Sequence, residues 1–286
     1  MIDLHTHTTA SDGKFAPAEL VARAARVGVT VLGVTDHDTM AGCAEAASAC
    51  ATHGLEFVPG IEVTAVADER DVQVLGYFVD AAFEPFDRFL AEQRENRVER
   101  IREMVARLAA HGLVLDLDQV LSPSVSDTKK AAGRPWIARA LVDAGLVPNI
   151  AEAFNRWLGH GQPAFVPRIG ATPAEVFARI QAAGGLASLA HPVQLKHDEW
   201  IAGYIEAGLD AIEVYHADHD PAATARYLEM ARRHGLLVTG GSDFHADDTH
   251  GGGTPGKVTL PRADYERLLA ARATRRATAS GASTSS

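Results

Sequence analysis

An α/β fold is what the sequence predicts, a (β/α) barrel interrupted by a small inserted helical domain, and three observations predict it. Short apolar runs alternate with Ala-rich amphipathic segments, the signature of a mostly parallel sheet. Histidines and carboxylates follow those runs directly, at the strand ends where barrels build their sites. Between Phe83 and Pro167 the alternation stops.

The strands fall near Ile2–His5, Val29–Thr35, Glu56–Ile61, Val72–Val79, Leu186–Ala190, Ala211–Val214 and Leu236–Thr239. Helices fill the gaps. The first is Pro17–Val27, with Pro17 suited to a first turn and Gly28 to a C-terminal cap. Met40–His53, Pro173–Ala183, Glu199–Ala207, Pro221–His234 and Ala263–Arg275 complete the set. Within the interruption, Phe86–Ala110 reads as a long, heavily charged helix, followed by helical patterns at Pro135–Ala144 and Asn149–Leu158. The barrel therefore takes residues 1–82 and 166–276, and the helical insertion 83–165. Residues 277–286 are Ala, Ser, Thr and Gly only and read as a disordered tail.

A chain of 286 residues can bury a sizeable core, and 47% hydrophobic with 22% charged residues is a globular balance rather than a disordered one. The formal net charge of −10 argues against duplex DNA or an anionic membrane as partner, so an anionic substrate would need a local basic pocket or metal ions. Cys43 and Cys50 lie two helical turns apart, too far for an easy disulfide, and read as buried free thiols in a reducing cytoplasm. The start, Met1-Ile2-Asp3-Leu4-His5, leaves no room for a signal peptide, and no apolar run approaches membrane-spanning length.

Histidine is over-supplied at 13 residues, and its placement is not random. His5 and His7 follow the first strand, Asp36, His37 and Asp38 the second, and Glu62 the third. His191, His216 and the Asp243/His245 pair follow the last three strands. His-x-His at a strand end places both imidazoles on one side, because side chains repeat every two residues. Imidazoles with Asp and Glu suit Mn²⁺, Zn²⁺ or Fe²⁺, and the absence of thiolates weakens a structural-zinc reading. Such a set exceeds what one ion needs, so two or three metals are expected.

Five segments carry a resemblance: Asp3-Leu4-His5-Thr6-His7-Thr8-Thr9-Ala10-Ser11-Asp12-Gly13, Thr35-Asp36-His37-Asp38-Thr39, Pro59-Gly60-Ile61-Glu62, Ala190-His191-Pro192 and Gly241-Ser242-Asp243-Phe244-His245. Together they resemble the polymerase and histidinol phosphatase (PHP) family, relatives of the amidohydrolases. The resemblance implies a distorted (β/α)7-type barrel. Gly133-Arg134-Pro135 and Leu75-Gly76-Tyr77-Phe78 look like the branch that removes the 3′-phosphate of nucleoside 3′,5′-bisphosphates and trims short RNA from the 5′ end. Carried over, the metal ligands are His5, His7, Asp12, His37, Glu62, His191, Asp243 and His245. Many relatives carry a histidine where this chain has Gln73, which leaves one of three metal positions weak, empty or substrate-dependent. Relatives also often have histidine at Trp136, which here could offer a stacking surface for a base.

For the chemistry, divalent metals neutralise phosphoryl oxygens and lower the pKa of water to about 7, so no Ser or Cys nucleophile is needed. Asp243 and His245 would hold metal and assist proton transfer, and Asp36 would orient a ligand. A second phosphate needs cations away from the metals. Arg94 and Arg97 share a helix face, and Lys129, Lys130 and Arg134 follow in the insertion. His216 is a further candidate substrate contact.

Plainer readings compete. Ser11-Asp12-Gly13 is an ordinary turn sequence, and the other candidates could be solvated loop residues. Arg88–Arg107 holds six Arg but also four Glu, so much of that helix could be an ion-paired surface. His216 and His219 flank Asp218, where surface and phosphate contact are equally suited. His53, His111 and His234 each precede Gly at a helix end, where the helix dipole explains them. His160, His197 and His250 show no role. The alternatives to bisphosphate hydrolysis are a histidinol-phosphate phosphatase, which the Arg-bearing insertion argues against, and a catalytically silent metal-binding module, which the full ligand set argues against. A polymerase-associated domain is a further alternative, but no polymerase sequence follows.

Overall fold

Seven strands form one sheet in sequence order, curled into an almost closed barrel. The computed structural model describes residues 1–246 and 253–282, with side chains described up to residue 277 at the C-terminal end. The strands are β1 (Ile2–Asp3), β2 (Val31–Val34), β3 (Glu56–Ala67), β4 (Arg70–Tyr77), β5 (Leu186–Leu189), β6 (Ala211–Tyr215) and β7 (Leu237–Gly240). Between and after them lie α1 (Pro17–Arg26), α2 (Cys43–His53), α3 (Glu84–Ala110), α4 (Leu117–Ser126), α5 (Arg134–Asp143) and α6 (Ile150–Ala153). The second half adds α7 (Pro173–Ala182), α8 (Pro192–Leu195), α9 (Ile201–Glu206), α10 (Pro221–His234) and α11 (Arg262–Ala282). No helix among the described residues is long and apolar enough to cross a membrane. Cys43 and Cys50 are free and buried, as the sequence suggests.

Two expectations fail around β3 and β4. The sheet is not parallel there: β4 runs antiparallel to both β3 and β5, whereas β1–β2–β3 and β5–β6–β7 are parallel. Asp68 and Glu69, both at positive φ (46° and 60°), form a two-residue hairpin that reverses the chain at once, so no crossover helix is needed. Glu62 consequently lies inside the twelve-residue β3, opposite Leu75, rather than after a strand. The helical segment also contains α4, which the sequence reading lacks; Pro123 inside it argues against a helix, but the Asp116 carboxylate caps its start. The final helix reaches Ala282, so residues 277–282, read as tail, are helical backbone, in keeping with their alanines. His250 lies outside the described residues.

The barrel core packs Leu4, Ile61, Val74, Leu75 and Ile212 with Phe177 of α7, while Leu20 and Val21 of α1 pack under β2. The helical segment has an apolar cluster of its own, including Met104, Leu108, Ile137 and Leu141. Closure between first and last strands runs beyond their named ends. The Leu4 amide donates to Gly240 O (3.3 Å), His7 N donates to Phe244 O (2.9 Å), and Thr6 bridges Phe244 in parallel. Gly241 sits at this seam, where a Cβ would lie 2.3 Å from His5 N. Gly241→Ala should therefore push β7 off β1 and cost about 3 kcal/mol. Urea unfolding checks this as a lowered midpoint; an unchanged midpoint would show that the seam is loose.

Candidate functional site

The barrel seam brings both ends of the chain to one point. Beyond β1, His5 and His7 project to the same side and are fully buried. Their Nε2 atoms lie 3.5 and 3.4 Å from Glu62 Oε2, and 3.2 and 3.0 Å from Asp243 Oδ1. Glu62 also meets His37 Nδ1 through Oε2 (3.0 Å) and His191 Nε2 through Oε1 (3.0 Å), so one carboxylate touches four imidazoles. Asp12 approaches His245 Nε2 (3.3 Å), His37 Nε2 (3.7 Å) and His7 Nδ1 (3.9 Å). All eight sequence-proposed ligands thus converge. Among the described residues, three sets offer ligand atoms within 4.8 Å of one another: His7, Asp12, His37 and His245; His5, His216 and Asp243; His5, His7 and Glu62.

These groups suit divalent metal. His5 Nε2 and both ring nitrogens of His7 are buried with no hydrogen-bond partner, which a bound cation would supply. Burial opposes ionisation of Glu62, yet His37 and His5 hold it well below the usual carboxylate range, and His5 with His245 does the same for Asp243. Burial would lower His5, but Glu213, Asp243 and Glu62 outweigh it and raise it well above its ordinary value. His245 is likewise pushed up to about 10 against burial by Asp12 and Asp243. His7 goes the other way, lowered by burial and by His245. In addition, Asp38, His191 and Asp243 adopt positive φ (48°, 24° and 53°), backbone strain concentrated where the strands end.

Glu213, in β6, is a partner the sequence reading missed. Its Oε1 lies 2.9 Å from His5 Nδ1 and its Oε2 accepts from the His191 amide (2.8 Å). It fixes one ring and one loop together, leaving His5 Nε2 to face the cluster. A charged residue between two apolar ones inside the predicted strand Ala211–Val214 was the available signal.

Several expected roles need correction. Asp36 does not reach the cluster: its oxygens accept from Thr8 N, Thr8 Oγ1 and Ser11 Oγ, so it shapes the turn carrying Asp12. Trp136 is buried in the helical segment's apolar cluster and donates Nε1–H to Ser11 O (3.4 Å), bracing the same turn; it offers no stacking face. Phe154 is the aromatic side chain at the cavity. Arg94 bonds Asp38 O and, with Lys129, lines a separate depression. Lys130 lines neither. Arg97, one of the expected pair, does line the cavity, and its neighbour there is Arg100, one turn further along α3, rather than Arg94. His216 Nδ1 accepts from the Asp218 amide (3.1 Å), which leaves the ring's proton on Nε2, facing Asp243 Oδ2 (3.4 Å). That tautomer suits a hydrogen-bond donor better than a metal ligand. His160 and His197 lie outside the cluster, against Phe165 and Trp200.

A cavity of about 300 Å³ opens beside the cluster, lined by Asp12, His37, Gln73 and His191 on one side. Arg97, Arg100, Arg134 and Arg168 line the other. Arg100 and Arg168 were not expected from the sequence. Burial and the neighbouring guanidiniums lower Arg100 to about 9 and Arg168 to about 10, although Asp71 opposes this. A cluster so desolvated favours an incoming anion.

The PHP domain model matches residues 3–132. A 3′,5′-nucleoside bisphosphate phosphatase of Chromobacterium violaceum is 35% identical over 250 residues, covering 86% of this chain and 87% of that protein. The 5′-3′ exoribonuclease Rnm of Escherichia coli K12 is 33% identical over 252 residues, covering 85% and 84%. The crystal structure of an amidohydrolase from Chromobacterium violaceum, with bound sulfate and no metal, superposes with a TM-score of 0.84 at 33% identity, covering 95% and 96%.

Two outcomes follow from the geometry. Glu213→Gln keeps the shape but removes the charge behind His5, and should weaken divalent-metal affinity about 10- to 100-fold, which a chelator competition measures. Unchanged affinity would leave Glu213 a packing residue. The pH dependence has a definite sign. His5, His37, His191 and His245 have raised folded values, so they hold protons that ligation must displace. Metal affinity should thus rise with pH from 6 to 8, with about one proton or more released per ion. Calorimetry in buffers of different ionisation enthalpy measures this, and no proton release would contradict it.

Proposed function

We propose a specific activity for this chain, which belongs to the PHP domain family: removal of the 3′-phosphate from nucleoside 3′,5′-bisphosphates, and 5′→3′ trimming of short RNA. The observation that carries the reading is the pairing of two sites in one cavity. A multi-histidine, multi-carboxylate cluster adjoins four arginines, so a substrate with two phosphates has a place for each. At the coarser level the chain is a metal-dependent phosphoesterase.

In this reading His5, His7, Asp12, His37, Glu62, His191, Asp243 and His245 hold two or three divalent ions, Mn²⁺ foremost. When bound, the ions would neutralise the phosphoryl group and activate water. The chain's own residues do the rest. Arg134, with Arg97, Arg100 and Arg168, takes the 5′-phosphate and so aims the 3′-phosphate at the cluster. Phe154 gives the nucleoside an apolar wall. His216 Nε2–H can donate a hydrogen bond to a phosphoryl or 3′-oxygen, since its Nδ1 already accepts from the Asp218 amide. Gln73, 3.4 Å from His37 Nδ1, adds an amide at the edge where Glu62 meets His191. It is a weak metal ligand beside imidazole, so the ion there is the least firmly held.

The test is a phosphate-release panel with Mn²⁺. Adenosine 3′,5′-bisphosphate should give AMP and phosphate, well ahead of histidinol phosphate. Arg134→Ala should raise KM for the bisphosphate at least about tenfold, with a much smaller effect on an aryl phosphate. A strong preference for histidinol phosphate would overturn the substrate reading. Inactivity with Mn²⁺, Mg²⁺, Zn²⁺ and Co²⁺ alike would favour a silent module.

A further inference from the structure

We propose that Asp71 sets the charge of the arginine cavity, making it selective for a terminal phosphomonoester over a more highly charged polyphosphate. The inference rests on the bisphosphate reading and names what limits its second phosphate.

Asp71 is the second residue of β4, paired with Val66 beside the hairpin turn. Strand alternation puts it on the same face as Gln73, and both line the cavity. Three guanidinium groups surround its carboxylate. Arg168 Nε is 3.4 Å from Oδ1, and Arg134 Nη2 and Arg100 Nη1 are 3.7 and 3.9 Å from Oδ2. These are ion pairs at loose range rather than close hydrogen bonds. Arg168 Nε and Arg100 Nη2 are buried without an acceptor, so the cationic wall keeps donor capacity that Asp71 does not use. That remaining capacity is what an entering anion would take.

The charge balance follows from which carboxylate is already engaged. Asp38 Oδ2 accepts from Arg97 Nε and lies 3.7 Å from Arg168 Nη1, while its Oδ1 accepts from Thr64 N, so Asp38 is already engaged. Arg97, Arg100, Arg134 and Arg168 thus face Asp38 and Asp71, four guanidiniums against two carboxylates, leaving an excess of two positive charges. A phosphomonoester near neutral pH carries close to two negative charges. A diphosphate brings about one more, which would meet Asp71 unpaired. With Asp71 neutral the excess would be three, and the more highly charged ligand would gain.

The experiment reads binding without turnover. The affinities of adenosine 5′-monophosphate and 5′-diphosphate are measured by calorimetry on the metal-loaded protein, and their ratio is compared between variants. The ions contribute equally to each protein's ratio and so drop out of the comparison. Asp71→Asn should move the ratio toward the diphosphate by about tenfold, and Asp71→Glu should keep the original ratio. An unchanged ratio in Asp71→Asn overturns the proposal. If that variant does not fold, Arg134→Gln removes a positive charge instead and should move the ratio toward the monophosphate; no movement there overturns it equally. A protein that shifts as expected yet does not hydrolyse bisphosphates would sink the substrate reading and leave this one standing. The reverse result would do the opposite.

Discussion

The site depends on one buried carboxylate. Glu62 is about 1% exposed and lies within contact range of His5, His7, His37 and His191. A carboxylate taken from water is tolerated only when cations or donors answer it, and here four rings and the metals they suit provide the answer. Its position inside a strand matters. Its backbone is tied to the segment after β2, by Asp38 N to Glu62 O and by Glu62 N to Asp36 O, and it pairs with Leu75 of β4 on the other side, so the carboxylate cannot drift as a loop residue could. The rings approach it from β1, β2 and β5, and Asp243 from β7 meets the same two imidazoles. Sheet closure is thus a condition of the chemistry.

The helical segment does more than cover the barrel. Ala131 N donates to Ala10 O, Trp136 Nε1 to Ser11 O and Arg139 Nη2 to Asp12 O. Asp36 holds the same turn from below through Thr8 and Ser11. Asp12 therefore sits in a turn clamped between barrel and helical segment. An exposed turn with a free aspartate would pay the full entropic cost of ordering on metal binding, and this one is ordered in advance.

How much of this was legible in the sequence depends on the length scale of the signal. Period and composition identified every strand, because a buried parallel strand reads as an apolar run whatever its partners. The direction of β4 was not legible: its run looks the same in either orientation, and Asp68-Glu69 is not a usual pair for a positive-φ turn. His5, His7, His37, His191 and Asp243 were readable because they follow strand ends, whereas Glu213 was hidden within one. The arginines illustrate the limit. Charge density marked α3 as a candidate, but which of its six arginines between Arg88 and Arg107 meet the cavity depends on helical phase against the barrel, which is set by packing. Arg168 lies outside that helix altogether and came into reach only through the return of the chain to the barrel. Trp136 failed for the same reason, since an indole is as suited to a core as to a ligand face.

The same contacts join the two halves of the site. Arg97 donates to the Asp38 carboxylate and to Thr64 Oγ1, and Asp38 accepts from the Thr64 amide while its own amide bonds Glu62 O. The Arg97 guanidinium and the backbone of Glu62 are therefore two hydrogen bonds apart, through a residue held at positive φ. A shift of α3 cannot alter the arginine wall without pulling on the segment that carries Glu62. An anion drawn into the arginines should for this reason tighten the cluster as well as occupy the cavity. On the proposed reading, a ligand with two phosphates would order both halves at once, and binding energy from the phosphate at the arginines would act at the one on the cluster.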